Sequence, residues 1–583
     1  MNTVWSLDPI YKGLDDPAYE ADVQAAEQLV KTYAEAVSAA QQAECVEEHI
    51  EKLLLLEEEM SLKLHRLHLY LMLRQSVDQE NGDVMAQSNR VNKISAASAP
   101  ASAAADKIYA QIKDIDALAA KSEVVKDYIF KLKEAKESAK YLLSDDVEEM
   151  VSAMNMTGGG AWGQLQSFLT SVVKIDYEGK VVTLSEIRNL AYSPDQAVRK
   201  AAYEAELACY EKIQDSIAFA LNNIKNQVTM LSNKRGYESP LDMTLKQSRM
   251  TKATLDAMME AIKEYLPAFR KYLRKKGEML GHSNGLPFYE LFAPLGKADK
   301  KYTLEEARDY LVTCFNTFSP DLADMMQEAF DNDWIDFFPH KGKRGGAFCA
   351  GVVGMNQSRI LTNYEGYFGS IGTLAHELGH AYHNRQTDAN RVLNQHYSMP
   401  VAETASTFNE THLGHYALAS ASPEEKLNLL ENDLMEKTQC IVDIYSRYLF
   451  ESAVFEQSQS KFLMAEDLKN IMLDAQRQAY GDGLDENVLH PYMWVCKGHY
   501  YRSGLSFYNF PYAFGNLFAV GLYNMFLEEG ESFVPKYKAM LKATPTCTIE
   551  EAGAMMGVDL SDKKFWESSL ALIAKDIEEF CAL

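Results

Sequence analysis

The chain has 583 residues, 47% of them hydrophobic and 24% charged, which describes a soluble globular protein large enough for more than one core. A net charge of −25 and a pI near 5.0 argue against a nucleic-acid partner, whose phosphates would be repelled, and weakly favour basic peptides. Two domains are the expectation at this length.

Met1 to Asp8 has no basic region followed by an apolar run, so no secretory signal is predicted. The longest apolar candidate, Leu517 to Leu527, is too short to span a bilayer and contains Asn524, so no membrane association is expected. Cys45, Cys209, Cys314, Cys349, Cys440, Cys496, Cys547 and Cys581 are scattered without CxxC pairing, a pattern of reduced thiols that predicts a cytoplasmic location.

From residue 1 to about 190, Ala, Leu, Glu and Lys recur at helical period, as from Asp22 to Ala40 and from Glu44 to Leu73, and long antiparallel helices are predicted. Ser95 to Ser102, with Pro100, and Thr157-Gly158-Gly159-Gly160 interrupt the pattern and predict turns or flexible joints. A new helical run starts around Tyr192-Ser193-Pro194-Asp195, which places the boundary between an N-terminal helical domain, 1–192, and a second domain, 193–583. Gly281 to Pro287 predicts a loop, and 302–330 and 423–583 predict helix. Lys343 to Gly354 and Ser358 to Tyr364 are the one strand-rich stretch; their glycines permit close backbone approach, and an exposed sheet edge there could pair with an extended peptide.

His376-Glu377-Leu378-Gly379-His380 is the sharpest motif. On a helix with about 3.6 residues per turn, positions four apart point the same way, so both imidazoles can converge on one Zn²⁺. Glu377 projects about 100° from His376, clear of the metal and suited to act as a general base on its water. Phe368 to Thr373 predicts a hydroxyl-capped start near residue 371, and Leu374, Leu378, Ala381 and Tyr382 fall on the side opposite the two histidines. His383 is about 10.5 Å along the axis from His376, too far to share the same ion, and a structural role is expected of it. A third ligand must come from another element. The next predicted helix, opening at Ser398-Met399-Pro400 and running through Val401 to Glu410, offers Glu403 and Glu410, seven apart on one face; spacing admits either as ligand and the other as an orienting carboxylate.

The run from Thr373 to His383, with Val401 to Glu410 downstream, resembles the oligoendopeptidase F branch of the thimet oligopeptidase family of zinc metallopeptidases, of the HExxH gluzincin type. The resemblance implies His376, His380 and Glu403 as zinc ligands and Glu377 as catalytic base. It also implies that the His-then-Tyr-rich run from Cys496 to Tyr512 closes over the site to stabilise an oxyanion. His499 and Tyr508 match that role best, with Tyr512 and Tyr501 as further members. The implied fold is mainly α: two helical domains around a deep substrate channel, with a small zincin-like β-sheet beside the HExxH helix to which substrate adds as a strand. The implied function is zinc-dependent hydrolysis of internal bonds in oligopeptides by a monomer or weak homo-oligomer. Alternatives are an exopeptidase of carboxypeptidase or peptidyl-dipeptidase type, anchoring a terminal carboxylate on Arg502 or Arg359, and a catalytically silent peptide-binding protein.

Overall fold

A computed structural model describes residues 2–296 and 300–583. The chain opens with three long helices, α1 (Pro17–Gln41), α2 (Ile50–Val77) and α3 (Gly82–Ala110), packed on one another. Asp16 starts α1 by accepting from the Ala18 amide, and Pro17 suits the first turn, where no amide bond is lost. Tyr19, Val23, Ala26, Val30, Tyr33, Val37 and Ala40 follow at helical spacing and are all buried.

The predicted break at Ser95 to Ser102 is not a break. α3 runs straight through it, with Pro100 on the exposed face. Local chemistry favoured a turn, but the alanines are strong helix formers, and Ser98, Ala101 and Ala105 give a buried face small enough for close packing. The break at Thr157 to Gly160 is real: helices Asp145–Thr157 and Gly159–Val172 meet at Gly158. These glycines serve close approach. A Cβ on Gly159 would lie 2.4 Å from Cβ of Ser503, one on Gly163 would lie 2.6 Å from the Tyr501 carbonyl oxygen, and the Gly159 amide donates to Gln227 at 2.7 Å.

Two apolar cores result. One joins α1 to α3 and the residues up to Leu132, and takes in Val352 and Leu361; the other extends from Val173 to Phe580. A hairpin of β1 (Ile175–Tyr177) and β2 (Lys180–Val182), unforeseen in the sequence, precedes the helix Gln196–Tyr210 that begins after Pro194 as predicted. Helix dominates thereafter, although Gly481 to Asn509 holds only short turns. The apolar stretch at Leu517 lies inside the largely buried helix Phe510–Glu529, and no helix among the described residues is long and apolar enough to cross a membrane.

The second sheet has the order β3 (Ile335–Asp336), β5 (Gln357–Leu361), β4 (Phe348–Val352). β4 and β5 fall in the predicted strand-rich stretch and form a hairpin, antiparallel from Phe348 opposite Leu361 to Val352 opposite Gln357, while β3 joins in parallel and was not foreseen. β4 is thus an edge strand. Val352 points into the first core, whereas Cys349 and Gly351 meet Asn384 of the helix Phe368–Thr387, so the hairpin is held between the N-terminal helices and the motif helix.

Candidate active site

The motif helix starts at Phe368, three residues before the predicted position, and its hydroxyls do not cap it: Thr373 donates back to the Gly369 carbonyl and Ser370 accepts from Glu365. Leu374, Leu378, Ala381 and Tyr382 are buried as the stripe predicts, with Ile371 buried as well, which leaves His376 and His380 facing the next helix. That helix is Thr404–Leu418, preceded by a single 3-10 turn, Met399–Val401. The predicted continuous helix from Ser398 is therefore corrected: Ser398 makes no capping bond, and Glu403 sits at the N-terminal boundary, outside the regular turns. Gly379 makes this geometry possible, because a Cβ there would lie 2.6 Å from the Ala405 carbonyl oxygen and 2.6 Å from Cα of Ser406. Asn409 adds a tie between the helices, donating to the Ala375 carbonyl at 3.0 Å.

At this crossing the two Nε2 atoms of His376 and His380 are 3.2 Å apart, and Oε2 of Glu403 lies 3.4 Å from the first and 3.3 Å from the second. One donor atom from each of the three falls within 4.8 Å of the others, the one group of this kind among the described residues. Glu410 takes a different position: its Oε1 is 3.0 Å from Nδ1 of His376, the ring atom turned away from the cluster. The spacing had left the two carboxylates interchangeable, and the fold separates them.

Burial pushes the His376 imidazole down, but hydrogen bonds to Glu403 and Glu410 outweigh it and hold the group up at about 10. Glu403 is held well below the carboxylate range, the two imidazoles overcoming its burial. Glu377 is only 5% exposed, its Oε2 has no hydrogen-bond partner, and burial raises its carboxyl. Glu436, beyond Glu410, is pushed up to about 7 by burial and then by the charge of Glu410.

His383 is apart from the cluster. It is fully buried, stacked on Tyr397 at 4.1 Å with Nε2 2.8 Å from the Thr544 hydroxyl, and burial with His380 nearby pushes it down to about 3. His499, Tyr508 and Tyr512 gather as a group, with ring centroids 5.2 Å apart for His499 and Tyr508, 6.1 Å for His499 and Tyr512, and 5.4 Å for the two tyrosines. Burial, then Arg447, Lys497 and Arg502, push His499 down to about 4, so it is neutral at pH 7. Burial, then Tyr508, raise the Tyr512 phenol, and Glu403 adds to the same effect, which keeps it protonated. Tyr501 is directed elsewhere, its hydroxyl donating to the Trp494 carbonyl at 2.9 Å.

The sequence reading missed Glu451. This buried carboxylate accepts from the Phe507 amide at 3.0 Å and from Nδ2 of Asn509 at 2.9 Å, and is paired with buried Lys225 at 2.6 Å. It brackets Tyr508 and holds Phe507 in a left-handed conformation, φ 53°, that a bulky residue avoids unless fixed by its surroundings. Glu451 carries no motif, and its one sequence signal was a carboxylate among the apolar residues of a buried helix. Arg359 proves unavailable as a carboxylate anchor. It is 1% exposed and donates to the Ser6 carbonyl at 2.7 Å and the Ser358 carbonyl at 2.8 Å.

A helix carrying His-Glu-x-x-His, facing a carboxylate at the head of a second helix and flanked by an edge strand, defines a metal-dependent peptidase. The Peptidase family M3 model matches residues 189–572 and the Oligopeptidase F N-terminal model matches 110–174; the chain belongs to peptidase family M3, in its oligoendopeptidase F branch. It is 24% identical to Oligopeptidase PepF of Bacillus subtilis over 99% of this chain and 86% of that protein. An Oligoendopeptidase F homolog of Lactococcus lactis is 27% identical over 68% of this chain and 66% of its own. Among solved structures, oligoendopeptidase-F from Enterococcus faecium superposes with a TM-score of 0.70 at 18% identity, covering 97% of this chain and 98% of its own. A Chlamydophila abortus protein provisionally classed as a peptidase reaches 0.86 at 21%, covering 100% and 98%. The protein is therefore a mainly helical metallopeptidase that hydrolyses peptides.

Proposed function

We propose that the chain is a zinc-dependent oligoendopeptidase in which His376, His380 and Glu403 hold Zn²⁺ and Glu377 is the general base. The observation that carries this reading is the convergence of two imidazole nitrogens and one carboxylate oxygen within 4.8 Å beside a buried carboxyl with an unpartnered oxygen. Two nitrogens and one oxygen suit zinc, with a position left open for chemistry, whereas magnesium and calcium favour sites built of oxygens alone. When bound, zinc polarises the scissile carbonyl and lowers the pKa of water toward ~7. Glu377 takes the proton from the attacking water and delivers it to the leaving amine. Its raised affinity for a proton suits both steps. Tyr508, Tyr512 and His499 donate hydrogen bonds to the oxygen that gains charge, and Glu451 fixes the loop that carries Tyr508. The substrate backbone pairs with the edge of β4, which leaves side-chain preference loose.

We place the domain boundary at 192/193, just inside the start of the Peptidase family M3 match at residue 189, with the site in 193–583 and the N-terminal helices forming the facing wall of a channel. The absence of paired thiols among the eight cysteines is consistent with a reducing, cytoplasmic compartment.

The test is an end-blocked, internally quenched oligopeptide with purified protein. Cleavage at an internal bond, loss with a chelator and recovery with zinc are the expected result. Cleavage that needs a free terminus would replace the endopeptidase with an exopeptidase, and no cleavage by the zinc-loaded protein would leave a peptide-binding protein. Because His376 carries a proton at pH 7 before metal arrives, calorimetry in two buffers is expected to register about one proton released per zinc. The sign follows from the raised pKa: the competing proton is held below about 10, so zinc affinity climbs with pH toward that value.

Glu410 orients His376 through Nδ1. Glu410→Gln keeps an acceptor but removes the charge, and zinc affinity is expected to fall by about 10- to 100-fold, measured against a competing chelator. Wild-type affinity would show that the ring is oriented by its packing alone.

A further inference from the structure

A cavity of about 380 Å³ lies between the helix Gln196–Tyr210, the turn at Phe288–Glu290 and the segment leading from Met493 to Lys497. Its lining runs against the charge of the chain. In a protein of net charge −25, the cavity presents Arg188, Arg199 and Lys497 against the single carboxylate of Glu206. Arg199 is fully engaged, donating to Glu290 at 2.7 Å and to the Ser193 carbonyl at 2.6 Å. The other two cations are not. Lys497 has no ion pair or side-chain hydrogen bond among the described residues, although the charges of Asp443 and Arg447 reach it, and the one ion pair of Arg188 is a 3.5 Å contact from Nε to Glu206, with the Cys496 thiol also beside its guanidinium, so no carboxylate takes both arms of its fork. His490, 1% exposed, also lines the cavity, with Nε2 lacking a hydrogen bond and 3.5 Å from the same Glu206. Phe288 and Tyr289 form an apolar wall. Cations with unused donors in a partly enclosed space are expensive to keep unless something anionic meets them.

Two of the lining residues, Lys497 and Gln439, lead from the cavity toward the active site. Lys497 precedes His499 by two residues, in the segment that leads into the tyrosine loop. Gln439, another lining residue, lies one helical turn after Glu436, and the Glu436 carboxyl feels the charges of Glu410 and His376. This proximity favours substrate over a remote effector as the occupant.

We propose that this cavity is a substrate subsite in which Arg188 and Lys497 bind a carboxylate of the peptide, with the apolar part of the same residue against Phe288 and Tyr289. It rests on the peptidase reading above. The carboxylate has two possible sources, the free C-terminus or an acidic side chain, and both present the same planar anion to a guanidinium fork.

The test uses one N-blocked peptide in three forms: carboxylate only at the C-terminus, only on one internal Glu with the C-terminus amidated, or nowhere. Binding is measured by calorimetry on zinc-loaded Glu377→Gln, and turnover on the wild type. One of the carboxylate forms is expected to bind roughly tenfold or more tighter than the neutral form, the size of a charge-assisted contact. That preference should shrink to about threefold or less when Lys497→Met or Arg188→Gln is added, and return with Lys497→Arg. The form that gains identifies the source. Equal affinities for all three forms overturn the subsite even if every peptide is cleaved, and so does a preference that survives both substitutions. Discrimination in binding without turnover by zinc-loaded wild type would support the subsite while refuting the peptidase chemistry.

Discussion

Glu377→Gln is expected to retain its zinc and lose three or more decades of kcat, about 4 kcal/mol of barrier lowering. The amide has the size of the carboxyl, and Glu377 is neither within the three-residue cluster nor engaged through Oε2, so the exchange leaves the histidine pair and Glu403 in place. What it removes is the capacity to accept a proton from water and hand it to the departing amine. The raised proton affinity of Glu377 comes first from burial, with His376 and His380 pulling the other way and Glu403 and Glu410 reinforcing it. Metal content by elemental analysis and kcat on a quenched peptide should therefore separate cleanly. Full turnover with zinc bound would remove Glu377 from the mechanism and shift the base role to another group. Loss of both zinc and turnover would instead mean that Glu377 supports the cluster.

The chemistry was legible where it is local. His376, Glu377 and His380 share one helical turn, so their relative directions follow from helix geometry, and the apolar stripe at Leu374, Leu378, Ala381 and Tyr382 gave the orientation of the helix. Glu403 and Glu410 marked the limit of that argument. Periodicity placed both on one face, whereas the fold puts Glu403 at the end of an irregular segment and Glu410 behind His376, a distinction made by the helix crossing. Long-range partners left no trace in the sequence: Glu451 reaches Lys225 across 226 positions, and Arg359 is held by the carbonyl of Ser6. The two-residue strand Ile335–Asp336 is too short to carry a period, and its existence depends on β5 lying alongside. At Ser95 to Ser102 the error had another source. Residues that favour turns when exposed were read without the neighbour α1, against which their small size is an advantage.

Gly379→Ala is expected to damage stability and metal binding together, although the side chain added is a single uncharged methyl group. The new Cβ would meet the carbonyl oxygen of Ala405 and Cα of Ser406, both at 2.6 Å, and Ala405 carbonyl carbon at 2.9 Å. These are backbone atoms in the first turn of the Thr404–Leu418 helix, so no side chain can rotate out of the way, and the two helices must separate. Overpacking of this kind costs about 1–3 kcal/mol. The displaced turn follows Glu403 directly, so separation draws its carboxylate away from His376 and His380, and zinc affinity should fall in step with the thermal midpoint. Gly515→Ala is the matched comparison. Its Cβ would approach Cβ of Glu403 at 3.2 Å and the Pro400 carbonyl oxygen at 3.3 Å, contacts that a few tenths of an ångström relieve. It presses on the same carboxylate from another side and should reduce zinc affinity far less. Chelator competition and thermal unfolding on the two variants decide the matter: wild-type affinity and midpoint for Gly379→Ala would mean that the crossing of these helices does not fix the metal geometry.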